Sequence, residues 1–259
     1  MIKTSYPDFR SCLMQGSPNG DGCSGEVKQK VDCADCILDS MCQLLDYAKG
    51  DSAPPEGILL RDRFVARGES IYRQEDPFRA VFAVKSGSFK TLIPGADTRE
   101  QVVGFYLPGE LMGSEGMANK LYPSTAKALE PSHICELRID RLPEAGRPLV
   151  LLQQRMIELL GSEITFNHKL MASIAQQSSE QRLAAFLLSL SQRYGSRGYA
   201  GHEFALMMSW ADIGSYLGLA SETISRMLSK FQKANLLVLT KKQITLLDIK
   251  GLSNLAEGI

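Results

Sequence analysis

Between Pro148 and Gly195 the sequence contains a single glycine, Gly161, and its apolar residues recur at alternating steps of three and four. Val150, Ile157, Leu160, Ile164, Met171 and Ile174 occupy this repeat, and Gln153 and Asn167 fill its remaining positions. Steps that average between three and four residues keep one face in register with a parallel copy of itself, so the pattern predicts one long helix with a heptad seam. A second stripe, Leu149, Leu152, Met156, Leu159 and Leu170, lies on another flank. One face pairs with a second copy, and the other is left to cover a neighbouring domain. Asn167 in the seam sets register at some cost in stability. A dimerisation helix over 148–178 then divides the chain into an N-terminal and a C-terminal part.

The N-terminal part reads as strands. From 58 to 147 the runs "AVFAVKSGSFKTLI", "EQVVGFYL" and "AKALEPSHICELRI" are separated by Gly68, Gly87, Gly95, Gly109, Gly113, Pro94, Pro108 and Pro123. Short runs with Gly and Pro at the corners predict a β-roll of jelly-roll-like type. Residues 1–30, with "QGSPNGDGCSG", show no periodicity and read as a flexible lead-in. Within 31–57 a helix is expected over about 38–49 before the Pro54-Pro55 boundary. With 259 residues and 44% apolar content the chain has enough material for such a core.

The C-terminal part, 179–259, reads as a winged helix-turn-helix. Ser179 is the expected cap of a helix with an apolar face at Leu183, Phe186, Leu187 and Leu190. Ser209 and Asp212 form an S-x-x-D capping pair for a short helix. Gly218-Leu219 make the turn, and Ser221 is expected to cap a second helix to about Lys233, the spacing at which a recognition helix enters a major groove. Strands at 237–240 and 243–247 around Lys241-Lys242 would form a basic wing. The whole chain has 29 basic and 29 acidic residues, so it is no general polycation. Residues 221–242 nevertheless hold five cations and one acid, a local +4 suited to phosphates. Glu222, Ser225 and Arg226 share one helix face, where Arg can take guanine O6 and N7 and Glu can accept from a cytosine amino group. Ser221, Thr223, Lys230, Lys241 and Lys242 are the candidate phosphate contacts. The expected partner is double-stranded DNA.

Three of the six cysteines fall in "DCADCILDSMC": Cys33, Cys36 and Cys42. No apolar run reaches the ~20 residues of a membrane span, and Lys3, Asp8 and Arg10 interrupt any secretory signal. The expected location is the cytoplasm, with no membrane partner, where clustered thiols bind metal more often than they form disulfides. Three ligands need a fourth, and Cys135 in "HICELRI" is the candidate. Four thiolates fit a four-iron cluster or tetrahedral zinc, and spacing does not choose between them. Cys12 and Cys23 in the lead-in are taken as non-ligands. His133, His168 and His202 are scattered without a nucleophile or paired carboxylate, so no enzyme activity is expected.

Together, the cysteine trio, Cys135, "SSEQRLAAFLLSLSQRY" and "DIGSYLGLASETISR" resemble the FNR branch of the cyclic-AMP receptor protein family, the fumarate and nitrate reduction regulators of bacteria. The resemblance covers about 30–250. It implies an α+β chain with a cysteine-rich cluster segment, a β-roll sensor, a dimer helix and a winged helix-turn-helix. It further implies a [4Fe-4S] cluster on Cys33, Cys36, Cys42 and Cys135 that forms without oxygen and favours a DNA-binding homodimer. Glu222, Ser225 and Arg226 would then read TTGAT-like half-sites in inverted repeat. RNA polymerase is an implied partner, with the turn at 97–100 as a contact region. In the sibling nucleotide sensors "GEL" is part of the pocket, and Gly109–Leu111 resembles it. Where their phosphate-binding arginine stands, this chain has Pro123-Ser124-Thr125-Ala126, so no cyclic nucleotide is expected. Asn167 departs from an acidic residue common in the branch, which predicts more dimer without cluster. Ile37 and Met41, apolar beside Cys36 and Cys42, are expected to shield the cluster.

Overall fold

The computed structural model describes residues 36, 57–95, 100–145 and 149–259. The lead-in, the helix expected over 38–49, Cys33, Cys42, Ile37, Met41 and most of the 97–100 turn lie outside the described residues.

Eight strands build the β-roll: β1 (Leu59–Val65), β2 (Ser70–Tyr72), β3 (Ala80–Ser86), β4 (Phe89–Pro94), β5 (Glu100–Tyr106), β6 (Leu111–Met112), β7 (Thr125–Ala128) and β8 (Ser132–Arg138). They form two antiparallel four-stranded sheets, ordered β1-β8-β3-β6 and β2-β7-β4-β5. Both sheets enclose one core that includes Tyr72, Phe82, Phe89, Met112 and Ile134. Tyr72 and Tyr122 stack at 3.9 Å between centroids, and the Tyr122 hydroxyl donates to the Ala80 carbonyl, so its polar end is satisfied inside. In β3 every residue from Ala80 to Val84 is buried. An antiparallel strand ordinarily alternates between core and water. Burial on both of its faces means that the sheet is covered outside as well as inside at β3, whereas Leu60 to Phe64 of the edge strand β1 are exposed.

The long helix α1 (Leu149–Gln176) comes next in the chain. Its exposed apolar residues are Val150, Ile157, Ile164, Met171 and Ile174, the first four at steps of seven. Met156, Leu159 and Leu160 pack instead on the β-roll core, and Leu170 on the C-terminal core. Leu160 therefore lies where the two stripes meet. Among the described residues no helix is long and apolar enough to cross a membrane.

The C-terminal unit comprises α2 (Ser179–Gly195), β9 (Glu203–Ala205), α3 (Trp210–Leu217), α4 (Ser221–Lys233), β10 (Leu237–Thr240), β11 (Gln243–Leu246) and α5 (Ile249–Glu257). Two caps differ from the sequence expectation. The residue that caps α2 is Ser178, not Ser179: its hydroxyl accepts from Gln181 N, and Gln181 returns the bond to the Ser178 amide. At α4 the N-cap position belongs to Ala220 with no side-chain bond, and Ser221 is the first helical residue. The Ser209–Asp212 capping box of α3 forms as its spacing predicts. Strand β9 joins β10 and β11 as a third strand of the wing sheet, ordered β10-β11-β9.

The two-residue turn from β3 to β4 requires glycine. Gly87 has φ +80°, and a Cβ there would overlap the buried Ser132 hydroxyl and lie 2.9 Å from Ser132 Cα. The expected cost of Gly87→Ala is about 2 kcal/mol or more, read as a lowered midpoint in urea unfolding with unchanged slope. An unchanged midpoint would show that the turn relaxes freely.

Candidate nucleic-acid interface and cysteine centre

The recognition helix is built by its own amphipathicity. Ile224, Met227, Leu228 and Phe231 are buried, which leaves Glu222, Ser225 and Arg226 exposed together on the opposite face. Sequence reasoning missed Met227, although its spacing from Ile224 and Phe231 places it on the same buried side. The turn between α3 and α4 is tight: a Cβ on Gly214 would lie 2.5 Å from the Leu219 carbonyl, and Gly218 takes the left-handed conformation at φ +67°. Arg182 of α2 donates to the Leu217 carbonyl at 3.0 Å and so closes the end of α3. Lys241 and Lys242 are exposed at the tip of the wing, with Lys241 at φ +58°. Ser221 and Thr223 are half-buried in the first turn of α4. Lys230 lies 2.6 and 2.8 Å from the two carboxylate oxygens of Glu180, so its ammonium already has an acidic partner in this state.

This unit is not tethered loosely. Leu92, Val102, Phe105 and Leu107 of the β-roll share one core with Leu183, Phe186 and Tyr216 of the C-terminal unit. At its centre Phe105 lies 5.0 Å from Tyr216 and 6.0 Å from Phe186. Beside these rings Arg193 of α2 donates Nε and Nη2 to Glu110 at 2.8 and 2.5 Å, and Nη2 also to the Phe105 carbonyl. Arg197 adds a second cation 3.2 Å from Glu110. Burial alone would push the Glu110 carboxyl up; the Arg193 and Arg197 guanidiniums and the Leu107 amide outweigh it and hold the group below the usual carboxylate range. A second joint links β4 and β5 to α3. Lys90 Nζ is 2.5 Å from Asp212, the Val102 amide donates to Ser215 Oγ at 2.9 Å, and Gln101 donates to the Ser215 carbonyl. None of these pairs is visible in the sequence, where the partners stand 83 or more residues apart.

A cavity of about 850 Å³ opens where the β-roll, α1 and α2 meet. Its walls include Glu115, Ser124, Glu163 and Asn167. Ser124 donates to Glu115 at 2.9 Å and Ser114 to Glu163 at 2.7 Å. Burial, together with the nearby Glu115, raises the Glu163 pKa, against the lowering pull of the Ser114 hydroxyl. Two carboxylates thus face a space whose arginines, Arg193 and Arg197, are engaged by Glu110.

Of the four candidate cysteine ligands, Cys36 and Cys135 are described, and both pack half-buried against the β-roll core. Cys135 lies in β8, where Ala83 of β3 is its register partner. The smallest side chain a regular strand offers therefore stands beside the thiol on the same face. Among the described residues no group of three or more His, Cys, Asp or Glu side chains is placed to hold a metal.

Two family signatures match in tandem: a cyclic nucleotide-binding domain over 62–145 and a Crp-like helix-turn-helix domain over 181–255. The transcriptional activator protein FnrA of Stutzerimonas stutzeri is 38% identical over 90% of this chain and 95% of its own length. The chain belongs to the Crp/FNR family of transcription regulators. It is not an enzyme. The transcriptional activator protein Anr of Pseudomonas aeruginosa is also 38% identical, over 87% of this chain and 93% of its own. The fumarate and nitrate reduction regulatory protein of Yersinia pestis is 34% identical, over 87% and 90%. Among solved structures, FixK2 of Bradyrhizobium japonicum superposes with a TM-score of 0.67 at 26% identity, covering 75% of this chain and 96% of that one. The α+β architecture of an antiparallel roll, a long helix and a C-terminal helix-turn-helix is shared with it.

Replacing Glu110 tests the joint. Glu110→Gln leaves a buried guanidinium without its counter-charge, with an expected loss of about 3 kcal/mol at neutral pH in denaturant unfolding. The folded-state pKa is depressed, so the pair contributes above the ordinary carboxylate range and its contribution is lost as pH falls through the depressed value. The gap between Glu110→Gln and the parent protein should accordingly shrink in acid. A gap that does not change with pH would exclude the ion pair as its source.

Proposed function

We propose that this protein is an oxygen-responsive transcription activator of anaerobic growth, acting in the cytoplasm as a homodimer on double-stranded DNA with RNA polymerase as partner. The observation that carries the reading is that Cys36 and Cys135 both pack against one apolar core, which the helix with the exposed heptad residues also covers. Cys33, Cys36, Cys42 and Cys135 would hold a [4Fe-4S] cluster, which supplies an oxygen-labile cross-link between the N-terminal segment and the β-roll. The same four thiolates accept zinc, and a structural zinc site with another signal is the second reading.

The chain's own residues carry the rest. Tying the N-terminal segment to β8 favours the arrangement in which Ile157, Ile164, Met171 and Ile174 meet a second copy, with Asn167 setting register. Leu160, half-buried on the β-roll core, links that seam to the domain that carries Cys135. A coupling of about 1 to 3 kcal/mol shifts occupancy 5- to 150-fold, enough for a switch. Without an acidic repulsion at Asn167, some dimer persists when the cluster is absent. Ile37 and Met41 slow the access of oxygen to the cysteines. In the dimer two copies of Glu222, Ser225 and Arg226 read TTGAT-like half-sites, while Ser221, Thr223, Lys241, Lys242 and Lys230, once released from Glu180, contact phosphates. The cavity does not take a cyclic nucleotide, because Glu115 and Glu163 face it where an anionic phosphodiester needs a free cation.

Iron, sulfide and zinc content of anaerobically purified protein decides between the readings. About four irons and four sulfides per chain, with visible absorbance lost after air is admitted, are expected for a four-thiolate cluster; one zinc and a featureless, air-stable spectrum would overturn the oxygen-sensor reading. On an inverted-repeat duplex, Arg226→Ala is expected to cost about 1–3 kcal/mol and to relax specificity at one base pair, whereas Lys241→Ala lowers the salt slope by about one without changing specificity. Equal weakening on all sequences by Arg226→Ala would remove it from base reading.

A further inference from the structure

Strand β8, which carries Cys135, runs between two β-bulges. On the β1 side Leu60 pairs with Glu136 and Arg63 with Ile134, so Arg61 and Asp62 both stand opposite the single residue Cys135. On the β3 side Val84 pairs with Ile134 and Ser86 with His133, which makes Lys85 the inserted residue. In the sheet order β1-β8-β3 the two bulged strands are not neighbours. Their inserted residues meet all the same: Lys85 Nζ lies 3.1 Å from Asp62 Oδ2, so the ion pair spans β8. His133 joins them, with Nδ1 2.9 Å from the other carboxylate oxygen of Asp62. Asp62 itself has φ +61°, a left-handed conformation that Asp and Asn adopt more readily than other non-glycine residues.

A bulge bends its strand and re-aims the side chain opposite. Two bulges closed on each other across residues 133–136 of β8 leave that strand little freedom in how it presents the alternate side chains His133 and Cys135. We propose that the Asp62–Lys85 pair is a positioning clamp for Cys135, fixing the direction in which β8 offers the thiol to the N-terminal cysteines. The purpose of the clamp rests on the iron–sulfur reading; the positioning does not.

The test separates the two. Peptide-resolved alkylation of the cluster-free protein with iodoacetamide reports the Cys135 thiol directly, with Cys36 as internal reference, and the lifetime in air of the reconstituted visible absorbance reports the loaded site. Lys85→Met opens the clamp without touching the backbone, and Asp62→Asn keeps the left-handed preference while removing the charge. Both are expected to change the Cys135-to-Cys36 alkylation ratio and to shorten the absorbance lifetime by about threefold or more, whereas Lys85→Arg, which retains the pair, stays within about twofold of the parent. Thermal melts of the three variants control for folding. Lys85→Met and Asp62→Asn indistinguishable from the parent in both readouts, or Lys85→Arg shifting as far as Lys85→Met, would overturn the clamp. A parent protein that takes up no iron while the alkylation ratio still shifts in the variants would sink the iron–sulfur reading and leave the positioning in place.

Discussion

Glu110 is the point on which the arrangement of domains depends. Its carboxylate is buried between the β-roll and α2, and it is tolerated there because Arg193 takes both oxygens in a forked contact while Arg197 adds a second charge. Removing either side would strand an uncompensated charge in a site already closed by Phe105, Phe186 and Tyr216. The helix-turn-helix is consequently joined to the β-roll through a second, shared core rather than being a body on a string. Asp212 serves twice, as the capping acid of α3 and as the partner of Lys90 on β4. A shift of the β4–β5 hairpin therefore bears directly on the first turn of α3, and through the tight Gly214–Gly218 turn on the helix that presents Arg226.

The other end of the β-roll is balanced differently. There α1 lays Met156, Leu159 and Leu160 on the core and leaves Val150, Ile157, Ile164, Met171 and Ile174 in water. Burying such side chains contributes about 1.5–3 kcal/mol each when complete, and association costs about 4–15 kcal/mol. In the proposed dimer these sums are of similar size, because the exposed faces are already partly covered. Self-association balanced this closely responds to a small bias on the core that α1 packs against, the core on which Cys36 and Cys135 both lie.

Much of this is written locally. The three-and-four spacing along α1, the S-x-x-D box at α3 and the apolar side of α4 each involve residues within a few positions, so periodicity and capping chemistry reveal them. The caps of α2 and α4 slipped by one residue for a local reason too: Ser178 stands next to Ser179 and Ala220 next to Ser221, and hydroxyl chemistry alone does not say which backbone leaves the helix first. Leu160 fits the seam by spacing, yet it is drawn towards the β-roll because the two stripes meet at that point on the helix.

The sequence by itself determined which segments become strands, a long helix and a reading helix, and which residue types could bind metal or DNA, since those properties derive from side-chain period and donor chemistry. Only the tertiary structure decided that Glu110 binds Arg193 and Arg197 across domains, that Lys90 finds Asp212, and that Asp62 and Lys85 close over the strand bearing Cys135. These contacts join residues 23 to 122 positions apart. Such pairs depend on sheet order, bulge placement and domain docking, which the chain settles by packing its cores together and which no short stretch of sequence encodes.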